Sequence, residues 1–489
     1  MPATRRRVLG LGAGALAAGL LSSCQSLEQR LSRADLPADA LPPADALPAR
    51  PPAVRLLNRA AYGPRPGDVA RLSRMGVAAW VDEQLRPDAL DEPPTLEWRL
   101  RPLRDCLDPD TGLLFDQDDR RLVAALRQST ILRAVYSRRQ LLERMTEFWG
   151  DHFNVYAFKG HGAQFKVVDD GATVRAHALG RFRDLLGASA RSAAMLGYLD
   201  NTANRRGVPN ENYARELMEL HTLGVHGGYT QRDVREVARC LSGWTVESHW
   251  RRGRFRFDAD AHDDGPKRVL GLALPAGGGV RDGEQVLDLL AAHPATARHL
   301  AAKLCRHFRG DAPPAWVARL ADVYVRTDGD IKAMLRPLLL SDDLGGAPPI
   351  LKRPLDYAVS ALRALGADTD GGAGVQAHLE RMGQPLFAWP MPDGFPEAAR
   401  AWTGALVPRW NFALALAGGA VENTSLDLPA LAAAGRRAGL GPHDALLALA
   451  FGGRADDLAL ADLRAQAASY PRPDEFAALT LMSPAFQWR

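Results

Sequence analysis

From Val54 onward, apolar and polar positions recur at helical spacing over most of the chain. Val54, Leu56, Leu57, Ala60 and Ala61 open the series, and Gly63 with Pro64 stops it. Asp68 to Met75 continues the pattern as far as Gly76, and Val77 to Leu85 follows. A longer amphipathic stretch over residues 121–137 leads into one from Gln140 to Val155. There Leu141, Met145, Phe148 and His152 lie along one stripe, with Leu142, Trp149 and Phe153 beside it and Glu143, Glu147 and Asp151 opposite.

The best-delimited pair of helices is expected between Pro209 and Gly243. Pro209 and Asn210 supply starting chemistry, Glu211 suits the positive end of the first helix, and Gly224 closes it. Thr230 caps the second helix with Asp233 three residues on, and Val234, Val237, Ala238 and Leu241 form its apolar stripe. The alternation Arg252-Gly-Arg-Phe-Arg-Phe and the run Lys267-Arg-Val-Leu-Gly-Leu predict two strands, which would pair around an acidic loop. Further helices are expected over residues 283–308, 316–324, 330–340 and 354–365. A Pro/Gly/Trp-rich stretch, residues 383–403, then precedes an Ala/Leu-rich set. The expected fold is mainly α, a multi-helical body with one small β-hairpin, and residues 383–489 form a C-terminal helical subdomain of it.

The first residues change the picture from fold to address. Arg5 and Arg6, between Thr4 and Val8-Leu9, match the twin-arginine pattern for export of folded proteins. An uncharged apolar run, Val8 to Leu21, is too short to span a bilayer and ends in Leu-Ser-Ser-Cys24, which resembles a lipobox. The expectation is a signal peptide over residues 1–24 and a diacylglycerol on Cys24 that gives the protein its membrane partner. Gln25 after that cysteine directs sorting toward the outer membrane. Residues 25–53, with repeated Pro, Ala and Asp, are expected to form a semi-rigid tether to a body over residues 54–489.

A net charge of +4, with no basic block interleaved with aromatics, argues against nucleic acid as a partner. Cys106, Cys240 and Cys305 are too sparse for a disulfide framework, although one pair could bond in an oxidising compartment, and no CxxC suggests zinc.

Several segments together resemble one family. Leu56-Leu-Asn-Arg-Ala-Ala-Tyr-Gly63, Glu147-Phe-Trp-Gly-Asp-His-Phe153 and Pro209-Asn-Glu-Asn-Tyr-Ala-Arg-Glu-Leu-Met-Glu-Leu-His-Thr-Leu-Gly224 are similar to the bacterial domain of unknown function 1800 (DUF1800). So are Tyr229 to Trp244, His262-Asp263 with Lys267, and the closing Ser483 to Gln487. The resemblance covers essentially the whole body. It implies an exported, mostly helical protein, often encoded beside a second family resembling sulfatase-type hydrolases, and carries no assigned catalytic residue.

Candidate chemistry concentrates on two helices. Around the stretch from Asn210 to Thr222, Tyr213, Ala214, Leu217, Met218 and Leu220 form an apolar arc that includes His221. Glu211, Asn212, Arg215, Glu216 and Glu219 form the other face, either a solvated surface or the wall of a cleft. His152 and His221 each lie on an apolar stripe, where imidazole stays neutral and suited to a divalent metal, with Asp151 as a further ligand. Two core histidines satisfied by backbone carbonyls are the alternative. Asp258, Asp260, Asp263 and Asp264 do not complete a calcium-loop pattern, while His262, Asp263 and Lys267 remain as residues that could line a site.

Two functions follow. One is an envelope lipoprotein that binds a partner protein, such as the sulfatase-like neighbour, or an envelope polymer. The other is an exported acid/base or metal-assisted enzyme. Its cleft would lie between the helices around Asn210–His221 and Glu147–Phe153, with Glu211 or Glu216 as acid/base groups. No complete catalytic set is assembled along the chain, which favours the first.

Overall fold

The computed structural model describes residues 36–37, 40–41, 52–247, 252–452 and 458–489. Arg5, Arg6, Cys24 and the signal peptide lie outside them. Of the Pro-rich stretch, Ala40 and Leu41 are buried, and the Gly67 amide donates to the Ala40 carbonyl at 3.0 Å. At least these residues lie on the body rather than apart from it.

The fold is mainly helical, with a few two-stranded sheets. The helices that matter below are α1 (Pro52–Ala60), α2 (Asp119–Tyr136), α3 (Gln140–His152), α4 (Glu211–Glu219), α5 (Gln231–Leu241), α6 (Pro294–Arg309), α7 (Pro354–Ala364), α8 (Leu406–Ala417) and α9 (Pro473–Met482). The capping chemistry expected at α4 and α5 is present. The Asn210 side chain accepts from the Asn212 amide at 3.0 Å, and Thr230 and Asp233 form a reciprocal capping box. Among the described residues, no helix is long and apolar enough to cross a membrane.

The single expected hairpin is replaced by three small sheets. Strand β1 (Trp244–Val246) pairs antiparallel with β2 (Phe255–Phe257), β3 (Lys267–Val269) with β4 (Leu272–Leu274), and β5 (Asp368–Thr369) with β6 (Thr424–Ser425). Phe255 to Phe257 therefore pairs upstream rather than with the Lys267 run. The reason is local. Leu270 and Gly271 both take positive φ, 44° and 87°, and close β3 onto β4 in a two-residue turn before any other partner is reached.

Two apolar cores make up the body. The first joins α1, α3, α4, α5 and α6 through residues such as Leu57, Phe148, Trp149, Leu217, Val237 and Leu304. The second joins α2, α7, α8 and α9 through Leu126, Leu132, Tyr357, Phe412 and Phe476. Residues from 383 onward share this second core with residues of α2 and α7.

Helix α3 stands between the cores, with its apolar stripe in the first. Its opposite face, Glu143, Glu147 and Asp151, meets arginines instead of water. Arg175, from a π-helical turn over Asp169–Arg175, makes two 2.8 Å hydrogen bonds to Glu143. Arg353, just before α7, holds Glu147 and Asp151 together. Arg144 is fully buried, donates to Glu147 at 3.0 Å and also pairs with Asp356. The Tyr62 hydroxyl donates to Glu147 at 2.7 Å, beneath the Arg144 guanidinium. The two cores thus meet along a buried ionic seam.

Candidate functional site

A cleft of about 330 Å³ opens at the C-terminal end of α3, where that helix meets α6 and the Pro-rich segment 389–397. Asp151, His152, His299, Lys303, Arg306, His307, Arg353, Asp393, Glu397 and Arg489 contribute its polar groups, and Phe148, Leu220, Ile350 and Phe395 its apolar walls. The segment 389–397 forms its roof as a strap. Asn154 donates through Nδ2 to the carbonyls of Trp389 and Met391 at 3.0 and 2.6 Å, and the Tyr198 hydroxyl donates to Pro390 at 2.7 Å. Gly394 takes φ 75°, and a β-carbon there would overlap the Asp151 carbonyl oxygen, so glycine is what lets the strap close on α3.

Helix α6 supplies one wall because His299, Lys303 and His307 recur every four residues along one face. Each imidazole is kept neutral by its surroundings. The His152 Nε2–H donates to the His221 carbonyl at 3.0 Å, and the His299 Nε2–H donates to the Leu220 carbonyl at 3.2 Å. His307 Nε2 accepts from Arg144 at 3.3 Å. Burial pushes His221 down to about 3 and His299 down to about 4, with Lys303 adding to both shifts. Burial first, then Lys303, holds His152 well below its ordinary value.

The cations are unequal. Arg306 pairs with Glu397 at 2.9 Å, Arg353 with Glu147 and Asp151, and Arg489 lies 3.5 Å from Asp356. The half-buried ammonium of Lys303 has no hydrogen bond or ion pair among the described residues, and its nearest aromatic contact is the face of Phe148 at 5.9 Å. Burial, opposed by the more distant Glu397, Asp151 and Asp393, draws its pKa below the ordinary lysine value. An unneutralised cation in a walled cleft gives the site a use for an anion.

The metal candidates are brought near one another without forming a ligand set. The rings of His152 and His221 lie 6.0 Å apart, and His299 lies 6.2 Å from His152. Asp151 turns away to Arg353, at 2.5 Å. Among the described residues, no three His, Cys, Asp or Glu side chains converge as metal ligands. His221 is fully buried with both ring nitrogens unpartnered, and His152 Nδ1 is also without a partner.

The polar face of α4 is elsewhere. Glu211 accepts from Arg215 at 3.2 Å and from Gln231, with Arg235 3.5 Å away, and Glu219 accepts from the Tyr229 hydroxyl at 3.2 Å. Asn210 and Asn212 bind backbone carbonyls of Asp200 and Leu199. Glu216, with Asn212, faces a shallow groove shared with Tyr156, Phe158, Lys159, Tyr198 and the far side of the strap. Burial, with Glu219, raises its carboxyl pKa. Glu211 and Glu216 therefore do not share a cleft with His152. His262, Asp263 and Lys267 form a third cluster that fastens the loop before β3. Asp263 receives Arg239 at 2.7 and 3.0 Å, which holds its carboxyl down to about 2, and Asp282 receives both Lys267 and His262, at 2.6 and 3.2 Å. Cys106, Cys240 and Cys305 are buried free thiols.

Lys303, Arg306, His299, His307, Arg353 and Arg489 are absent from the sequence expectations. The four-residue recurrence of His299, Lys303 and His307 was the available signal, inside a stretch read only as helix. A family model described as a protein of unknown function, DUF1800, matches residues 55–488. No curated protein and no solved structure matches the chain.

Proposed function

This chain belongs to the DUF1800 family, and from that premise we propose an exported, lipid-anchored envelope protein that binds an anionic group of a partner protein or envelope polymer. The export and anchor rest on Arg5, Arg6, the apolar run to Leu21 and Cys24. The binding rests on one observation: Lys303 brings an unpaired ammonium into a 330 Å³ cleft whose other cations already have partners. A carboxylate, sulfate or phosphate placed there would neutralise it in a partly desolvated setting, where a charge-assisted hydrogen bond is strong. The guanidinium of Arg306, shared with the similarly exposed Glu397, is the second donor within the same wall. The sulfatase-like neighbour enters as a partner through acidic side chains that would present such a group.

Calorimetric titration with phosphate, sulfate and acetate, using the full chain with Cys24→Ala for solubility, is the direct test. Lys303→Met should weaken binding at least ~tenfold, the loss of one charge-assisted contact. Equal affinity in the two proteins, or binding by neither, overturns the reading. The anchor is tested separately. Cys24→Ala should move the protein from the membrane to the soluble fraction and abolish acyl labelling; retention on the membrane with label would refute it.

A further inference from the structure

Helix α8 carries an apolar face that none of the described residues covers. Leu406, Val407, Trp410 and Leu414 are 42, 59, 39 and 54 % exposed. With Asn411 they occupy an arc of about 140° at the helical repeat of about 100° per residue. The opposite side, Phe412, Ala413, Leu416 and Ala417, is packed in the second core. The only charged residue between Leu406 and Ala417 is Arg409, and it is turned inward, donating to Gln487 at 3.0 Å and to the Lys352 carbonyl at 2.7 Å. A surface helix ordinarily shows charged residues to water, and one apolar on every side is ordinarily covered.

We propose that this face of α8 rests on the surface of the lipid bilayer, with the Leu406, Trp410 and Leu414 side chains entering the headgroup–acyl boundary. The inference rests on the lipid anchor at Cys24 proposed above. Leu36 packs on the second core and lies beside Gly366, just after α7. From Cys24 to Leu36 is twelve residues, which can reach at most ~43 Å when fully extended. The anchor therefore holds the lobe that contains α8 near the membrane. The two acyl chains of such an anchor hold the chain at the bilayer, and an apolar helix face kept within reach of that surface adds a further contact. A second copy of the chain is a poorer occupant. Four large side chains on one helix fall far short of the roughly 20–30 residues per side found in stable interfaces. Trp410 suits the boundary, since its ring is apolar and its indole N–H can meet a headgroup or water.

The test uses the Cys24→Ala chain, so that the acyl anchor contributes nothing, and vesicles of phosphatidylethanolamine and phosphatidylglycerol. Co-flotation should recover the protein with vesicles. The exposed triple variant Leu406→Asn/Trp410→Asn/Leu414→Asn should lower the partition coefficient at least ~tenfold, given the transfer free energies of the removed side chains. Its melting temperature checks that the body is folded. Brominated acyl chains should quench tryptophan emission in the parent, and Trp410→Phe should remove most of that quenching. Equal flotation of parent and triple variant overturns the proposal, as does no flotation of either. Dimerisation in the ultracentrifuge that is lost in the triple variant also overturns it, by assigning the face to a second copy. Because anchoring is read from acyl label and fractionation, its failure leaves a different trace.

Discussion

At the scale of single residues, Lys303 sets binding against stability. A half-buried ammonium without a partner disfavours folding, and its depressed pKa expresses that penalty. The unfolded chain holds this proton up to the ordinary 10.5, so the penalty is fully present below the folded pKa and fades as pH rises toward 10.5. Lys303→Met should therefore raise the stability of the unliganded protein, by on the order of 1 kcal/mol, while it lowers anion affinity; thermal melts with and without sulfate would show opposite shifts. His221 works with the other sign of pH. It is neutral in the fold down to about 3, while the unfolded imidazole takes a proton near 6.5, so stability is complete above 6.5 and drains away as pH falls toward 3. His221→Leu also removes two orphaned ring nitrogens, so urea midpoints between pH 7 and 4 should decline less steeply in that variant. Burial of His152 and His221 was legible from their place on apolar stripes. The pairing of charges was not, since Arg353, which holds Glu147 and Asp151 together, lies about 200 residues away from them.

Among the elements, the strap 389–397 decides whether the cleft is a cleft. Its closest approach is Gly394 on the end of α3, at a φ that disfavours any side chain. Gly394→Ala should cost about 1–3 kcal/mol through strain and displacement. Hydrogen exchange over 389–397 should accelerate, and the cleft's anion affinity should fall although no cleft side chain has changed. Helix starts were the most readable feature, because Asn210, Thr230 and Asp233 act within three residues of themselves, whereas α4 ends at Glu219, short of the expected Gly224. Strand pairing was least readable. The partner of Phe255 to Phe257 is Trp244 to Val246, a segment just past the helix end expected at Gly243 and not read as a strand. The strap carried a compositional signal in its Pro, Gly and Trp, but its attachment to Asn154 and Tyr198 depends on tertiary contacts that no local pattern contains.

Across the whole molecule, the ionic seam lies where the two apolar cores meet. Arg144 and Arg489 both approach Asp356 there, and their charges hold its carboxyl far below the usual range against the effect of burial. Asp356→Asn leaves two buried guanidinium groups short of a counter-charge and should cost about 3–5 kcal/mol, read as a lowered urea midpoint. Asp356→Leu, which also removes the acceptor, should be no milder. The mainly helical architecture was legible from periodicity alone. The division into two cores was not, because charges on α3 that periodicity assigns to a solvated face are the ones buried at the seam.

The interleaving of those cores also bears on how such a protein can change over generations. The first core draws on residues 53–85 and 141–344, and the second on Leu41, Tyr62 and residues 96–167 and 355–486, so the two overlap along the chain. No single contiguous stretch of gene encodes either one. Exchange of gene segments could carry the body only as an undivided inheritance, and variation would have to enter one codon at a time.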